Sequence, residues 1–556
     1  MEHFSQQVTI EILCEDILLN VFHHFLASTP RIWPILGWVC RKWRQIIFAS
    51  PLGLSLRLYC THRTPVLKSI DCWPALPVIL EYGGALNLDT PVPEDDDNII
   101  AALKQSGRVS SISLTVTSSL LKKLSAISAP LSGLEELVLL SKDNVQQTFP
   151  STFLWGPHLR TLHSTGIAFP SLPPLLLPCQ DLVDLQLHEI PSSGYFSPEE
   201  FTNALSGTPQ LRSLTLHILS FPRRRSLPGL PPPPGEHIIL PALTNLKYRG
   251  TSKYLDNLVA RIDATHLKDI DITLFSQPTM DASQIGRFIE RLEMQMSLSK
   301  AEVKTSAHAI SISITDSVTS TSLQLQISCT QLDWQLSCMA QICDQFSPFL
   351  FRVHNVEINT TEPPSGHDDV ADEQWLELLH SFGGARTISV PDELALVILC
   401  ALRHNGDTSA LPSLRRLRVQ KPMVMDGQSW DCVQSFITSR WISGRPVKVN
   451  APSYRCHICH SSSKEKLAVK HHLRHKHGYK IFCSYCGEFE CTPGKTDLFQ
   501  EHLGNKHPEI AHNDGLISKP SLSNIQLENL VDQHGSLRPQ DVVPPMSEPE
   551  DRVLGT

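Results

Sequence analysis

The sequence predicts a multidomain α/β protein. It reads as a small helical unit at residues 9–58 and a connecting segment at 59–108. An irregular array of strand–helix repeats follows at 109–450, then a pair of small ββα units at 454–507 and a disordered tail at 513–556. Three observations carry this reading. Apolar residues fall at helical spacing near the N-terminus. A Leu-x-x-Leu-x-Leu pattern recurs through the middle of the chain. Two sets of paired Cys and His close the ordered part.

The N-terminal unit starts with Ile12-Leu13, Ile17-Leu18, Val21-Phe22 and Phe25-Leu26, a helical stripe. Ser28-Thr29-Pro30 breaks it. A second apolar run, Trp33 to Arg44, leads through Ile46, Ile47 and Phe48 to Ser50-Pro51. Fifty residues cannot bury this much apolar surface internally, so a partner or the following domain should cover the excess.

The unit resembles the F-box. The match rests on Asp16-Ile17-Leu18, Val21-Phe22 and Leu26, then Val39-Cys40-Arg41-Lys42-Trp43-Arg44, then Ser50-Pro51. Cys14-Glu15 stands where the F-box has Leu-Pro. The whole chain is similar to divergent F-box proteins of mushroom-forming fungi. The resemblance implies docking onto the Skp-type adaptor of an SCF-type ubiquitin ligase, with its cullin complex, through Ile17, Val21, Phe22 and Val39.

The repeat runs as Leu134/Leu137/Leu139, Leu159/Leu162, Leu182/Leu185/Leu187, Leu211/Leu214/Leu216, Leu243/Leu246/Tyr248 and Leu267/Ile270/Ile272. Its first leucines are 25, 23, 29, 32 and 24 residues apart. Later copies are Val353/Val356/Ile358 and Leu414/Leu417/Val419. Helical stretches are expected between them at 198–205, 281–294, 374–382 and 392–404. Strand then helix at a period of 20–30 residues is the leucine-rich-repeat signature. Most copies lack its Asn or Cys position, so the solenoid is irregular. At 300–330 the period changes, and the alternation in His308–Thr315 and Leu323–Ser328 predicts a hairpin. Glu94–Asp97 reads as a cap on a helix beginning near Asn98. The Arg- and Pro-rich loop Phe221–Glu236 reads as a solvated spacer.

The C-terminal sets are Cys456, Cys459, His472 and His477, then Cys483, Cys486, His502 and His507. Two residues separate each Cys pair and four separate each His pair. A C-x-x-C knuckle puts two thiolates on one side of a metal, and a helix face supplies two imidazoles, which closes a tetrahedron around Zn²⁺. Two zinc ions are expected. His475 competes with His477 for the first site, and Cys491 can substitute in the second. Ser463 stands where such fingers carry a core Phe.

The helix positions that would read DNA hold Glu465, Ala468 and His471, then Lys495, Leu498 and Glu501. None is the Arg, Asn or Gln that makes the best bidentate base contact. Lys464, Lys466, Lys470, Arg474, Lys476 and Lys480 support only weak phosphate contact, and the formal net charge is −8. Four protein ligands per ion leave no open position for catalysis. No Gly-rich phosphate loop, G-x-S-x-G or H-E-x-x-H occurs. The expectation is therefore a non-catalytic subunit that recruits an unknown protein substrate to the ligase. The competing expectations are a zinc-finger nucleic-acid regulator and an interaction scaffold with a degenerate F-box. Scattered cysteines, no signal segment and no bilayer-length apolar run point to the nucleus and/or cytoplasm, with no membrane partner.

Overall fold

The computed structural model describes residues 12–28, 33–49, 56–61, 66–72, 77–82, 93–104, 106–124, 127, 130–141, 147–149, 156–169, 171–218, 237–275, 277, 280, 282–292, 299–316, 321–329, 331–361, 372–404, 411–420, 423–425, 427–450, 454–456, 459, 461–463, 472–473, 476, 480–483, 490–491, 497–507 and 535–538. The architecture is mixed α/β and its sheets are largely parallel. The chain divides into two compact units, Met1–Phe275 with Ala282–Met294, and Ser276–Asp281 with Gln295–Thr556. No helix among the described residues is long and apolar enough to cross a membrane.

Three helices open the first unit: α1 (Glu15–Ser28), α2 (Trp33–Val39) and α3 (Arg41–Ala49). Glu15 and Asp16 fall in the first turn of α1, where negative charge is favoured. Cys40 starts α3: its carbonyl accepts from Arg44 N at 3.2 Å and its Sγ from Trp43 N at 3.4 Å. Arg44 Nε donates to Gly37 O at 2.9 Å and ties α3 to α2. Leu18, Phe22, Leu36, Ile46 and Ile47 are buried. The Phe22 and Trp43 rings lie 4.7 Å apart at 58°.

Nine strands of one sheet follow: β1 (Leu56–Tyr59), β2 (Val78–Tyr82), β3 (Val109–Val116), β4 (Glu136–Ser141), β5 (Thr161–Thr165), β6 (Asp184–Ile190), β7 (Ser213–Ile218), β8 (Asn245–Gly250) and β9 (Asp269–Phe275). Each pairs in parallel with the next. One continuous row of buried side chains crosses them in register: Leu58, Leu80, Ile112, Leu137, Leu162, Leu185, Leu214, Leu246 and Ile270. The Leu-x-x-Leu-x-Leu strands thus form as the sequence predicts. Leu185→Ala should cost about 2–5 kcal/mol, because neighbours on both sides keep the row from collapsing into the gap. A shift in urea midpoint at unchanged slope would measure it.

The ladder begins earlier than the leucine pattern. β2 and the helices α4 (Val66–Cys72) and α5 (Pro93–Leu103) occupy the stretch 59–108 that reads as a connecting segment. Val78, Leu80 and Tyr82 alternate inward, but no Leu-x-x-Leu precedes them. The Glu94–Asp97 run is also not a cap before Asn98. It lies in the first turn of α5 itself. Asp95 and Asp96 are buried, with Asp95 accepting from Tyr82 Oη at 3.1 Å and Asp96 from Ser119 Oγ at 2.9 Å.

Helices return the chain between strands, among them α6 (Ser118–Leu124), α7 (Leu172–Leu176), α8 (Pro198–Leu205), α9 (Ser252–Val259) and α10 (Ser283–Arg291). Ser197 and Glu200 form a capping box at the start of α8, which fixes that boundary. The insertion 221–236 lies outside the described residues.

The other face of this sheet is polar. His163 Nε2 stands 2.9 Å from Asp184 Oδ2, and Gln186 Nε2 donates to the same oxygen at 2.9 Å. Burial works to raise the Asp184 pKa, but hydrogen bonds from His163, Gln186 and Ser213 outweigh it and hold the carboxyl below its ordinary value. A depressed folded-state pKa contributes stability above the unfolded value, near about 4, and loses it as pH falls through the folded value. Asp184→Asn should therefore lower stability most at neutral pH, and its difference from the wild type should shrink as pH falls below about 4, which flattens the acid limb. Urea midpoints taken at a series of acid pH values would show it.

The second unit carries β10 (Lys300–Thr305), β11 (Ala309–Asp316) and β12 (Thr321–Ser328) as an antiparallel set, so the predicted hairpin is present. β13 (Asn355–Thr360) pairs in parallel with β10, and β14 (Thr387–Val390) and β15 (Arg416–Val419) extend the sheet. Ala301, Val356, Ile388 and Leu417 form its buried row. The helices are α11 (Leu332–Gln345), α12 (Ser347–Leu350), α13 (Asp372–His380), α14 (Asp392–His404) and α15 (Gly427–Ile442). Two of the four expected helical stretches, 198–205 and 392–404, match the observed bounds outright, and the other two differ by no more than three residues at either end.

After β15 come two short strands, β16 (Met423–Met425) and β17 (Lys448–Asn450), the latter closing the parallel sheet against β15. The last elements are β18 (Tyr454–Cys456), β19 (Ser462–Ser463), β20 (Lys480–Cys483), β21 (Glu490–Cys491), α16 (Asp497–Lys506) and β22 (Gly535–Arg538). β22 lies inside the stretch read as a disordered tail. It is ordered because β20 offers it a free edge: Lys480 to Cys483 pair with Arg538 to Gly535, antiparallel.

Candidate metal centre

β18 and β19 form a hairpin with Tyr454 opposite Ser463 and Arg455 opposite Ser462. Cys456 ends the first strand, and its N–H donates to Ser461 O at 2.8 Å. The backbone must turn within Cys456–Ser461, and that turn presents Cys456 and Cys459 on one side. Cys456 is buried and Cys459 is exposed. His472 comes from the segment beyond, beside the buried Leu473.

Cys456, Cys459 and His472 converge: their ligand atoms all lie within 4.8 Å of one another. Cys459 Sγ is 3.0 Å from His472 Nε2. Around a tetrahedral ion with bonds of 2.0–2.3 Å, neighbouring ligand atoms stand about 3.3–3.8 Å apart. Two thiols and one imidazole at this separation are a donor set that suits a borderline-soft divalent ion. Ser461 was not singled out by sequence. Its Oγ lies 3.1 Å from His472 Nε2 and 3.2 Å from Cys459 Sγ. Its position two residues after the second Cys is the only signal the sequence carried for it.

His477 and its rival His475 lie outside the described residues. So does Cys486 in the second set, and for Cys483 and Cys491 only the strand backbone is described. His502 sits on α16 and His507 just past its end, with ring centroids 5.5 Å apart at 65°. Leu503 between them is buried. The two second-set imidazoles are thus together, and one three-ligand group is complete. Of the base-reading positions, Glu501 is exposed on α16; Glu465, Ala468, His471 and Lys495 lie outside the described residues.

The hairpin is not isolated. β16 pairs in parallel with β18, Met423 with Tyr454 and Met425 with Cys456, which makes a three-stranded sheet. β22 does the same for the β20–β21 pair. α15 packs against both added strands. Each of the two hairpins therefore has a third strand drawn from outside its own Cys–His segment.

The four residues expected to meet an adaptor divide by burial. Ile17, Val21 and Val39 are 48%, 45% and 55% exposed, but Phe22 is fully buried. Phe22 is a core residue of the helical unit, because one step along α1 from Val21 turns the side chain inward onto Trp43. Trp38, which sequence did not select, is 69% exposed.

No family model matches the chain. No curated protein matches it. Among solved structures it is similar to the leucine-rich-repeat-containing protein LegL7 from Legionella pneumophila, at 10% identity and a TM-score of 0.24, over 69% of this chain and 97% of that one. A likeness at that TM-score carries no argument.

Proposed function

We propose that the protein is a non-catalytic interaction protein. In this reading an F-box-like unit holds a Skp-type adaptor, leucine-rich repeats present the substrate, and two structural zinc ions close the C-terminal end. The observation that supports it best is the set of apolar side chains left exposed on α1 and α2. Ile17, Val21, Ile35, Trp38 and Val39 are exposed while Leu18, Phe22, Leu36, Ile46 and Ile47 fill the interior. Burial of each such side chain by a partner is worth roughly 1.5–3 kcal/mol. Ile17 and Val21 share one face of α1, and Ile35, Trp38 and Val39 one face of α2; exposed apolar stripes of this kind mark interaction sites.

The first zinc would be held by Cys456, Cys459, His472 and His477, the second by Cys483, Cys486, His502 and His507. Zinc in such sites supplies folding free energy and no reaction. The added strands β16 and β22 favour a capping role over DNA reading, since a finger tied into a sheet is less able to follow a groove. In this reading the chain works in the nucleus and/or cytoplasm.

Co-expression of the full chain with a Skp-type adaptor tests the reading. Capture at micromolar concentration or tighter is expected, and Val21→Asp with Trp38→Asp should abolish it while the melting temperature holds. No capture of the wild type would overturn the ligase reading and leave an interaction scaffold.

A further inference from the structure

Cys400 on α14 and Cys432 on α15 bring their sulfurs to 2.8 Å without being bonded. The two helices pack against each other, so the approach is built into the core of the second unit. We propose that these cysteines form a reversible disulfide that ties α14 to α15. A disulfide needs sulfurs at about 2.05 Å, so closure asks for less than about 1 Å of movement. Thirty-odd residues of chain lie between the two positions, and they include β15 and β16.

The two thiols differ in access. Cys400 is half-buried, whereas Cys432 is 8% exposed. Cys400 is therefore the attacking thiol and Cys432 the resolving one. With a small disulfide such as glutathione disulfide as oxidant, Cys400 gives its proton to water and its thiolate attacks one glutathione sulfur. The glutathione S–S bond breaks and one glutathione leaves as thiolate. Cys432, deprotonated in turn, attacks the Cys400 sulfur and expels the second glutathione. The protein loses two hydrogens, and one glutathione disulfide becomes two glutathiones.

The bond has a structural consequence. α15 also packs on β16 and β22, the strands that complete the two Cys–His hairpins. Tying it to α14 fixes the support of both. Closing a loop of this length restricts the unfolded chain, so the oxidised protein melts at higher temperature.

The test uses the full-length protein in buffers of graded glutathione to glutathione-disulfide ratio, quenched by acid, alkylated, digested and read by mass spectrometry. The expected product is a cross-linked peptide pair joining Cys400 to Cys432, lost on adding dithiothreitol. Peptide-level assignment separates it from oxidation of Cys456 and Cys459. Cys432→Ser should stop at a glutathione adduct on Cys400, and Cys400→Ser should leave Cys432 unmodified. The proposal is overturned if the exposed Cys14 and Cys40 become fully glutathionylated with no Cys400–Cys432 pair in the wild type. An adduct on Cys432 in Cys400→Ser, formed as fast as the wild-type cross-link, would overturn the assignment of roles. The wild-type measurement stands even if a serine variant fails to fold.

Discussion

Chelation of the full-length protein should unfold 454–507 and loosen the strands joined to it. The three-ligand group joins Cys456 and Cys459 of a hairpin to His472 beyond it, and among the described residues of 454–507 the buried apolar side chains are Leu473 and Leu503. A hairpin of this size is at best marginal in water without help. Structural zinc in such units supplies an apparent 10–16 kcal/mol or so at neutral pH, and all of it is folding free energy. Loss of the metal therefore removes far more than the local core can replace. β16 pairs with β18 directly, so amide exchange should rise at Met423–Met425 as well as at Tyr454–Ser463. The leucine row in β4 to β9 should stay protected. Cys456→Ser should reproduce the pattern, because it removes the buried ligand. Metal analysis should give two zinc ions per chain before chelation. Protection at Tyr454–Cys456 that survives chelation would show that the strands, not the metal, hold the hairpin.

The sequence carried the strand positions well where leucine repeated. Leu185, Leu214 and Leu246 each mark a strand because the ladder needs one large apolar side chain at the same register in every copy. It failed where another residue type met the same need. Val78, Leu80 and Tyr82 satisfy the row without a repeat motif. The grouping of Cys456, Cys459 and His472 was legible because tetrahedral coordination fixes both residue type and spacing. The added strands were not. Pairing of Met423–Met425 with Tyr454–Cys456, and of Lys480–Cys483 with Gly535–Arg538, uses backbone groups that any residue offers. Ser463 shows the same limit from the other side. It stands opposite Tyr454 across the hairpin, which accommodates a small residue where the motif asks for Phe. The contact between Cys400 and Cys432 depends on how two helices dock, and no local pattern reports that.

Phe22→Ala and Val21→Asp, neighbours on α1, should have opposite effects. Phe22 is fully buried against Trp43, so truncation leaves a cavity in the core of the three-helix unit. A loss of about 3–5 kcal/mol is expected, enough to melt that unit on its own. Val21 is nearly half exposed. Its replacement removes little packing, and exposed substitutions of this kind stay within roughly 0.5 kcal/mol. Asp costs a few tenths more in a helix interior than a good helix former. Denaturation followed by tryptophan fluorescence should report the first change, since Trp43 is the partner ring. Adaptor capture should fail for both, but for different reasons: the first loses the fold that displays the face, and the second puts a charge in the middle of it. Capture lost in Val21→Asp at wild-type stability assigns the exposed stripe of Ile17, Val21 and Val39 to binding. If Phe22→Ala kept full stability, the packing of α1 on α3 would have to be redrawn, and Phe22 would return to the contact face.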